Sequence, residues 1–398
     1  METPGLRPER PVDPEDPADL ADLADPAGPS TPAEPAESDG PDKPVASVAR
    51  RDIWDAAERE ATRARLRADL RRRQSLGARQ KSALDGLVHA LKPGSMDRSY
   101  PERHLLAYDL GTALRPASAA IAVGEPTTAS HLTWQVSGMG IFVHTAMWGS
   151  VREAGQLWAA QREAGAPLPC VVAWLGYNPP GPWGVLSGQS ALRGGARLAR
   201  HLDGWFDYRE RLAASSALAA ETGSSAGTGL PPAIAPGAGT GPAGVGPRAR
   251  PAALPHTAVE AHSYGSVVAA RALQILQRRE PPRSLDALVV SGVVGLPRDL
   301  AGDPGKLGLT AEHIYLALAE TDYLSRLGRL LSRRPRWTRF TPLDVGADDL
   351  RGLAGVVGHN TSRHRPDAGP IHRGFGYRDV GTTSLYRIAR ATAGLPLD

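Results

Sequence analysis

An α/β fold with a mainly parallel sheet and helices on both faces follows from two features of the 398-residue sequence. Short apolar runs alternate with segments of helical periodicity, and one such run passes directly into a helix through a serine set among small residues. Strand–helix alternation of this kind favours parallel pairing, because a crossover helix covers each face of the sheet in turn.

The extended apolar runs fall at 118–123, 131–136, 171–175, 257–261, 287–291, 313–318 and 338–343. Helical periodicity is found at 146–165, 192–220, 266–277 and 323–331. Residues 101–398 therefore form the α/β domain. Upstream, Ile53, Ala56, Ala57, Leu66, Leu70, Leu84, Leu87 and Leu91 recur at spacings near three and four, which predicts an Arg-rich helical segment within 47–100.

Two stretches break the pattern. Residues 1–44 hold 11 prolines and 12 acidic residues against three basic ones, too little apolar surface to offset the entropy of ordering. We read 1–46 as a disordered acidic tail. The block 222–255 contains 28 Gly, Pro, Ala, Ser or Thr in 34 residues and no acid, and it reads as a flexible insertion within the α/β domain.

Composition narrows the function classes. The 46 basic and 42 acidic side chains give a formal charge of +4, and the tail's net −9 leaves about +13 on the remainder. The run Arg63–Arg67 and the triplet Arg71–Arg73 make one helical face positive, but no aromatics interleave to stack bases, so nucleic acid is not an expected partner. The single cysteine, Cys170, excludes an intramolecular disulfide framework and any multi-thiolate metal site. It sits in an apolar run as a small hydrophobe. No stretch approaches the roughly 18 apolar residues of a membrane span, and no secretory pattern opens the chain. A soluble, cytoplasmic protein is the expectation.

The informative segment is His256-Thr-Ala-Val-Glu-Ala-His-Ser-Tyr-Gly-Ser266, with a helical run after it. Ser263 stands at the strand-to-helix junction, where a sharp turn exposes a hydroxyl above the sheet and close to helix N-terminal amides. Ala261 and Gly265 supply the small neighbours that such a turn needs, so the usual Gly-x-Ser-x-Gly appears as Ala-His-Ser-Tyr-Gly. A plain turn with a serine cap is the alternative reading of the same residues.

Ala261-His-Ser-Tyr-Gly-Ser266 resembles the nucleophile motif of an actinobacterial alpha/beta-hydrolase family long catalogued as a domain of unknown function. Three further stretches carry the resemblance: Val123-Gly-Glu-Pro-Thr-Thr-Ala129 followed by 132–140, Val172-Ala-Trp-Leu-Gly-Tyr-Asn-Pro179, and Val380-Gly-Thr-Thr-Ser-Leu-Tyr-Arg-Ile-Ala389. Together they cover roughly residues 104–395 outside the insertion. The resemblance implies an alpha/beta-hydrolase fold and a Ser-His-Asp serine hydrolase, esterase- or lipase-like, forming an acyl-enzyme on Ser263. Ala261 in place of the first elbow glycine, and Ser291-Gly-Val-Val-Gly295 in place of Gly-Ser-Pro-Gly, depart from the family pattern.

A serine hydroxyl needs a base and an orienting acid, which follow the nucleophile in alpha/beta hydrolases in the order acid, then histidine. Asp322 lies just past the run 313–318, where such folds present functional groups, and it resembles the family's acid; Glu320 is its competitor. For the base, the resemblance favours His372, which precedes Tyr377 and Phe375, while His359 and His364 stay open. Oxyanion donors are expected at the amides of Tyr264 and, in the glycine-containing loop 137–140, Met139. Trp148, Trp174, Tyr177 and Trp183 either line an acyl pocket or pack the core. No metal or cofactor is expected. The expected substrate is a small ester or lipid-like molecule. A hydrolase-fold scaffold without turnover and an adaptor built on the Arg-rich helix are the competing readings.

Overall fold

The computed structural model describes residues 53–112, 115–181, 188–221, 255–300, 303–364 and 374–397. The acidic tail and residues 222–254 of the insertion lie outside them.

Two helices open the described chain, α1 (Ala56–Arg71) and α2 (Ala78–Leu91). The sheet strands follow as β1 (Arg103–Asp109), β2 (Ser118–Val123) and β3 (His131–Val136), then helix α3 (Val143–Glu163), β4 (Pro169–Leu175) and helix α4 (Gln189–Glu221). Past the insertion come β5 (His256–His262), α5 (Gly265–Gln277), β6 (Ala287–Ser291), β7 (Ile314–Ala317), α6 (Tyr323–Ser332), β8 (Thr341–Leu343) and α7 (Thr383–Thr392).

Among the described residues these strands form one eight-stranded sheet in the order β1-β2-β4-β3-β5-β6-β7-β8. The pairs β1–β2 and β2–β4 are antiparallel and all the others parallel. Strand β1 and helix α7 are additions to the elements expected from sequence. The edge strand β1 offers only Leu105 and Leu106 as a fully buried apolar pair beside polar ends, too short a run to stand out. The chain leaves β3 through α3 toward β4 and leaves β5 through α5 toward β6, in opposite directions along the sheet. The carboxyl ends of β3 and β5 are thus a topological switch point, where open α/β sheets form their binding crevice.

Each face of the sheet carries its own core. One collects Trp54, Trp134, Trp174, Trp205 and Leu273 beneath α4 and α5. The other gathers Leu105, Ile121, Val171, Met147, Leu157 and Ile388 beneath α2, α3 and α7. Burial on both faces explains the nearly unbroken apolar run of β4, and Cys170 is buried within it. Trp54, just before α1, meets Trp134 edge-on at 5.5 Å and Trp205 at 4.7 Å between ring centroids. This ties the N-terminal helices to the sheet.

One charged cluster sits inside this apolar frame. Arg378 is buried and donates to Glu153 Oε2 on α3 at 2.7 Å and to Glu260 Oε2 in the middle of β5 at 2.5 Å. Burial outweighs the arginine at Glu260, whose carboxyl is held above its ordinary range. Removing one member of a buried ion cluster leaves an uncompensated charge, so Arg378→Met should lower the unfolding free energy by about 3–5 kcal/mol. Urea denaturation measures it; a loss below about 1 kcal/mol would mean that water or protons relieve the two carboxylates instead.

Candidate active site

The carboxyl end of β5 turns into α5 within two residues. Ser263 occupies the turn with φ of +54°, a left-handed conformation that side chains other than glycine adopt only under strain. The surroundings enforce it. Ser263 N–H donates to the Ser291 carbonyl at 2.9 Å, and the Ser263 carbonyl accepts from Ser266 N–H at 3.1 Å and from Ser266 Oγ at 2.6 Å. Close approach explains the small neighbour that follows. A Cβ on Gly265 would stand 2.7 Å from the Ser137 carbonyl and 2.8 Å from that of Val136.

The histidine ring that meets this serine belongs to His359. Its Nε2 lies 2.9 Å from Ser263 Oγ, and its Nδ1 lies 2.9 and 3.0 Å from the two oxygens of Asp322. His372, favoured on sequence, lies outside the described residues. Tyr377, one of the two aromatics used to place a histidine, instead donates its hydroxyl to Asp322 Oδ2 at 2.9 Å. The other, Phe375, stacks on the ring of exposed His364 at 4.1 Å between centroids. What aims His359 inward is a turn at Gly358, with φ of +74°, whose N–H donates to Thr321 Oγ1 at 3.0 Å. Asp379 adds a second fixture, since its Oδ2 accepts from the amides of Arg363, His364 and Gly376.

Asp322 caps α6 from the end of the β7 loop and is fully buried, while Glu320 is exposed. Its carboxylate accepts from Ser325 N–H at 2.9 Å, Ser325 Oγ at 2.7 Å and the Tyr377 hydroxyl. Burial alone would raise its pKa. The hydrogen bond and charge of His359 and the Ser325 donors outweigh that, and the group is held below its ordinary range. The Tyr377 hydroxyl is pushed far up by burial and by Asp322.

Behind His359 stands a second histidine, the residue before Ser263. The His262 and His359 rings are 4.8 Å apart. His262 Nδ1 lies 3.1 Å from Ser291 Oγ, which donates to Glu260 Oε1 at 3.1 Å, and the ring also hydrogen-bonds the His359 backbone. Burial, and then the proximity of His359 and Arg378, hold the His262 pKa well below the ordinary histidine value. Sequence reasoning gave no role to His262, Ser291 or Ser325. The available signal was Glu260, a carboxylate in the middle of an otherwise apolar core strand.

The loop after β3 presses against the serine. A Cβ on Gly138 would stand 2.9 Å from Ser263 Cβ and 3.2 Å from the His262 carbonyl. Met139 follows directly, and Tyr264 begins the helix on the other side of Ser263. Trp174 and Tyr177 pack in the core, with the Tyr177 hydroxyl on the Ser137 carbonyl at 2.9 Å. Trp148 donates its indole N–H to the Ser95 carbonyl at 3.0 Å, and Trp183 lies outside the described residues. Among the described residues, no group of three or more His, Cys, Asp or Glu has a metal-binding arrangement, and no helix is long and apolar enough to cross a membrane.

A family model described as an alpha/beta hydrolase matches residues 114–224 and 247–332, which span β2 to α6 and include the elbow and Asp322. The chain has an alpha/beta-hydrolase fold. Among solved structures it is similar to a hyperthermophilic esterase from the archaeon Pyrobaculum calidifontis, at 11% identity over 85% of this chain and 98% of that one, with a TM-score of 0.33. It is also similar to a thermostable esterase from Pseudomonas putida, at 11% identity over 84% of this chain and 95% of that one, with a TM-score of 0.31. No curated protein matches the chain. His359 lies beyond the matched part of this hydrolase fold, in the loop that follows β8.

The depressed pKa of His262 has a measurable consequence. As pH falls, the unfolded chain binds the proton before the folded one does. The stabilisation is therefore complete above the ordinary histidine value, near 6.5, and is lost as pH falls from there toward the folded-state value. The melting temperature of the wild type should fall between about pH 7 and about pH 5, and that of His262→Asn should fall less steeply. Equal slopes would mean that His262 does not titrate below its ordinary value.

Proposed function

We propose that the chain is a serine hydrolase cleaving carboxylic esters through an acyl-enzyme on Ser263, related to the actinobacterial family that its motifs resemble. The observation that carries this reading is the continuous hydrogen-bonded line from Ser263 Oγ through both nitrogens of His359 to the buried Asp322.

In this mechanism Ser263 Oγ attacks the ester carbonyl carbon while its proton passes to His359 Nε2. Asp322, kept ionised by its donors, orients the ring and stabilises the imidazolium that forms. The oxyanion is held by the amides of Tyr264 and Met139, which flank the serine from α5 and from the β3 loop. Such a donor is typically worth about 10²–10³ in turnover. The imidazolium then protonates the leaving alcohol. Water, deprotonated by the same ring, attacks the acyl-enzyme, releases the acid and returns the proton to Ser263.

The strained serine supports the reading, because its conformation costs about 1–3 kcal/mol and offers no packing gain of its own. His262, hydrogen-bonded to the His359 backbone, is a positioning residue.

A fluorophosphonate probe should label the wild type, and labelling should vanish in Ser263→Ala and His359→Ala while persisting in His372→Ala. Turnover of a p-nitrophenyl ester should drop by about 10³-fold or more with Ser263→Ala. Gly138→Ala should leave the protein folded and lower turnover about 10-fold or more, because the new Cβ pushes on Ser263. Absence of labelling in folded wild-type protein would falsify the reading. Loss of labelling with His372→Ala rather than His359→Ala would reassign the base.

A further inference from the structure

Helix α6 is mounted with its apolar side outward. Ser325, Gly328 and Ser332 recur every three to four residues and form the stripe nearest the protein: Ser325 is buried against Asp322, and a Cβ on Gly328 would lie 3.0 Å from Val294. The large residues follow the same periodicity on the opposite side. Tyr323, Leu324, Leu327, Leu330 and Leu331 are 69, 48, 46, 73 and 63% exposed. Positions i, i+1, i+4, i+7 and i+8 make one continuous stripe. An ordinary surface helix buries such a stripe; this one turns its serines and glycine toward the protein and buries only Ser325.

The stripe is flanked by charge of one sign. From Tyr323 to Leu343 there are six arginines and no acid. Arg326, Arg329, Arg333, Arg336 and Arg339 have no carboxylate partner among the described residues, and the Arg326 guanidinium stands 5.6 Å above the Tyr323 ring. The helix starts at the residue after Asp322, and Met139, Leu318 and Val357, from loops that surround the site, are exposed as well.

We propose that α6 docks this protein on an anionic lipid surface. Leucines directed outward and bordered by arginines match a helix that lies in a bilayer interface, with its apolar side among acyl chains and its cations on acidic headgroups. Nucleic acid would meet the arginines, but the four exposed leucines would be stranded in water. A second copy would cover the leucines only by setting these five arginines against their counterparts. The docking concerns the surface of α6 and stands apart from turnover at Ser263.

The test is co-sedimentation of the full chain with vesicles of phosphatidylcholine alone and of phosphatidylcholine mixed with phosphatidylglycerol. The expected result is pelleting with the mixed vesicles only, weakened by added salt. The double variant Leu330→Asp, Leu331→Asp changes two side chains that touch little of the protein, so it should keep the wild-type melting temperature and lose about 10-fold or more of the partitioning. Replacing Arg326 and Arg329 with Gln should weaken binding to the mixed vesicles in the same direction. Failure of the wild type to pellet with acidic vesicles at low salt overturns the proposal, as does equal pelleting of the leucine variant. Wild-type dimers that become monomers in the leucine variant, without vesicle binding, overturn it in favour of a contact between copies.

Discussion

The buried Arg378 between Glu260 and Glu153 is the constraint on which the rest of the site depends. Glu260 belongs to the strand that delivers Ser263, Glu153 to the helix that follows the Gly138 loop, and Arg378 to the segment that returns after His359. One guanidinium therefore fixes three pieces of chain that are far apart in sequence. Its neighbours continue the fixation: Tyr377 N–H and Arg378 N–H bond the carbonyls of Asn360 and Thr361, just after the histidine, and Thr361 Oγ1 reaches Glu153 Oε1. A long loop is ordinarily the least determined part of a fold. Here its position is set by hydrogen bonds to charge that has nowhere else to go.

The strain at Ser263 and the rigidity around it are two sides of one arrangement. A positive φ persists at a side chain larger than hydrogen only where the surroundings over-determine it. The Ser291 carbonyl, the first turn of α5 and the Gly138 backbone together do so. Asp322 shows the same economy of parts. It caps a helix, receives Tyr377 and faces His359, so one buried carboxylate serves the helix terminus and the ring.

Features encoded by contiguous residues were legible in the sequence. The strand-to-helix junction at Ser263 and the strand end before Asp322 are local patterns of small and apolar residues, readable without knowing what packs against them. The histidine is not local. His359 lies 16 residues past a short strand, and its place depends on Gly358 bonding Thr321 and on Asp379 gathering three amides. Spacing to Tyr377 pointed to His372, which lies outside the described residues, and that tyrosine bonds Asp322. Strand β1 was hidden because its fully buried apolar stretch is only Leu105 and Leu106 between polar ends. The orientation of α6 was illegible for a different reason: periodicity reports that a helix has an apolar side, not which side meets the protein.

The connection between α4 and β5 enters the sheet at His256, the amino end of β5, where the ring of His256 lies against Gly394 near the close of the chain. A seven-residue strand puts that entry roughly 20 Å from Ser263. A cut between α4 and β5 would divide the molecule into one piece with the first four strands and another with the last four, joined through the β3–β5 ladder and the packing of α4 on α5. Ser263, Asp322 and His359 would all travel with the second piece, and the Gly138–Met139 loop with the first. The Gly138 backbone would press on Ser263 again only once the two pieces had reassembled.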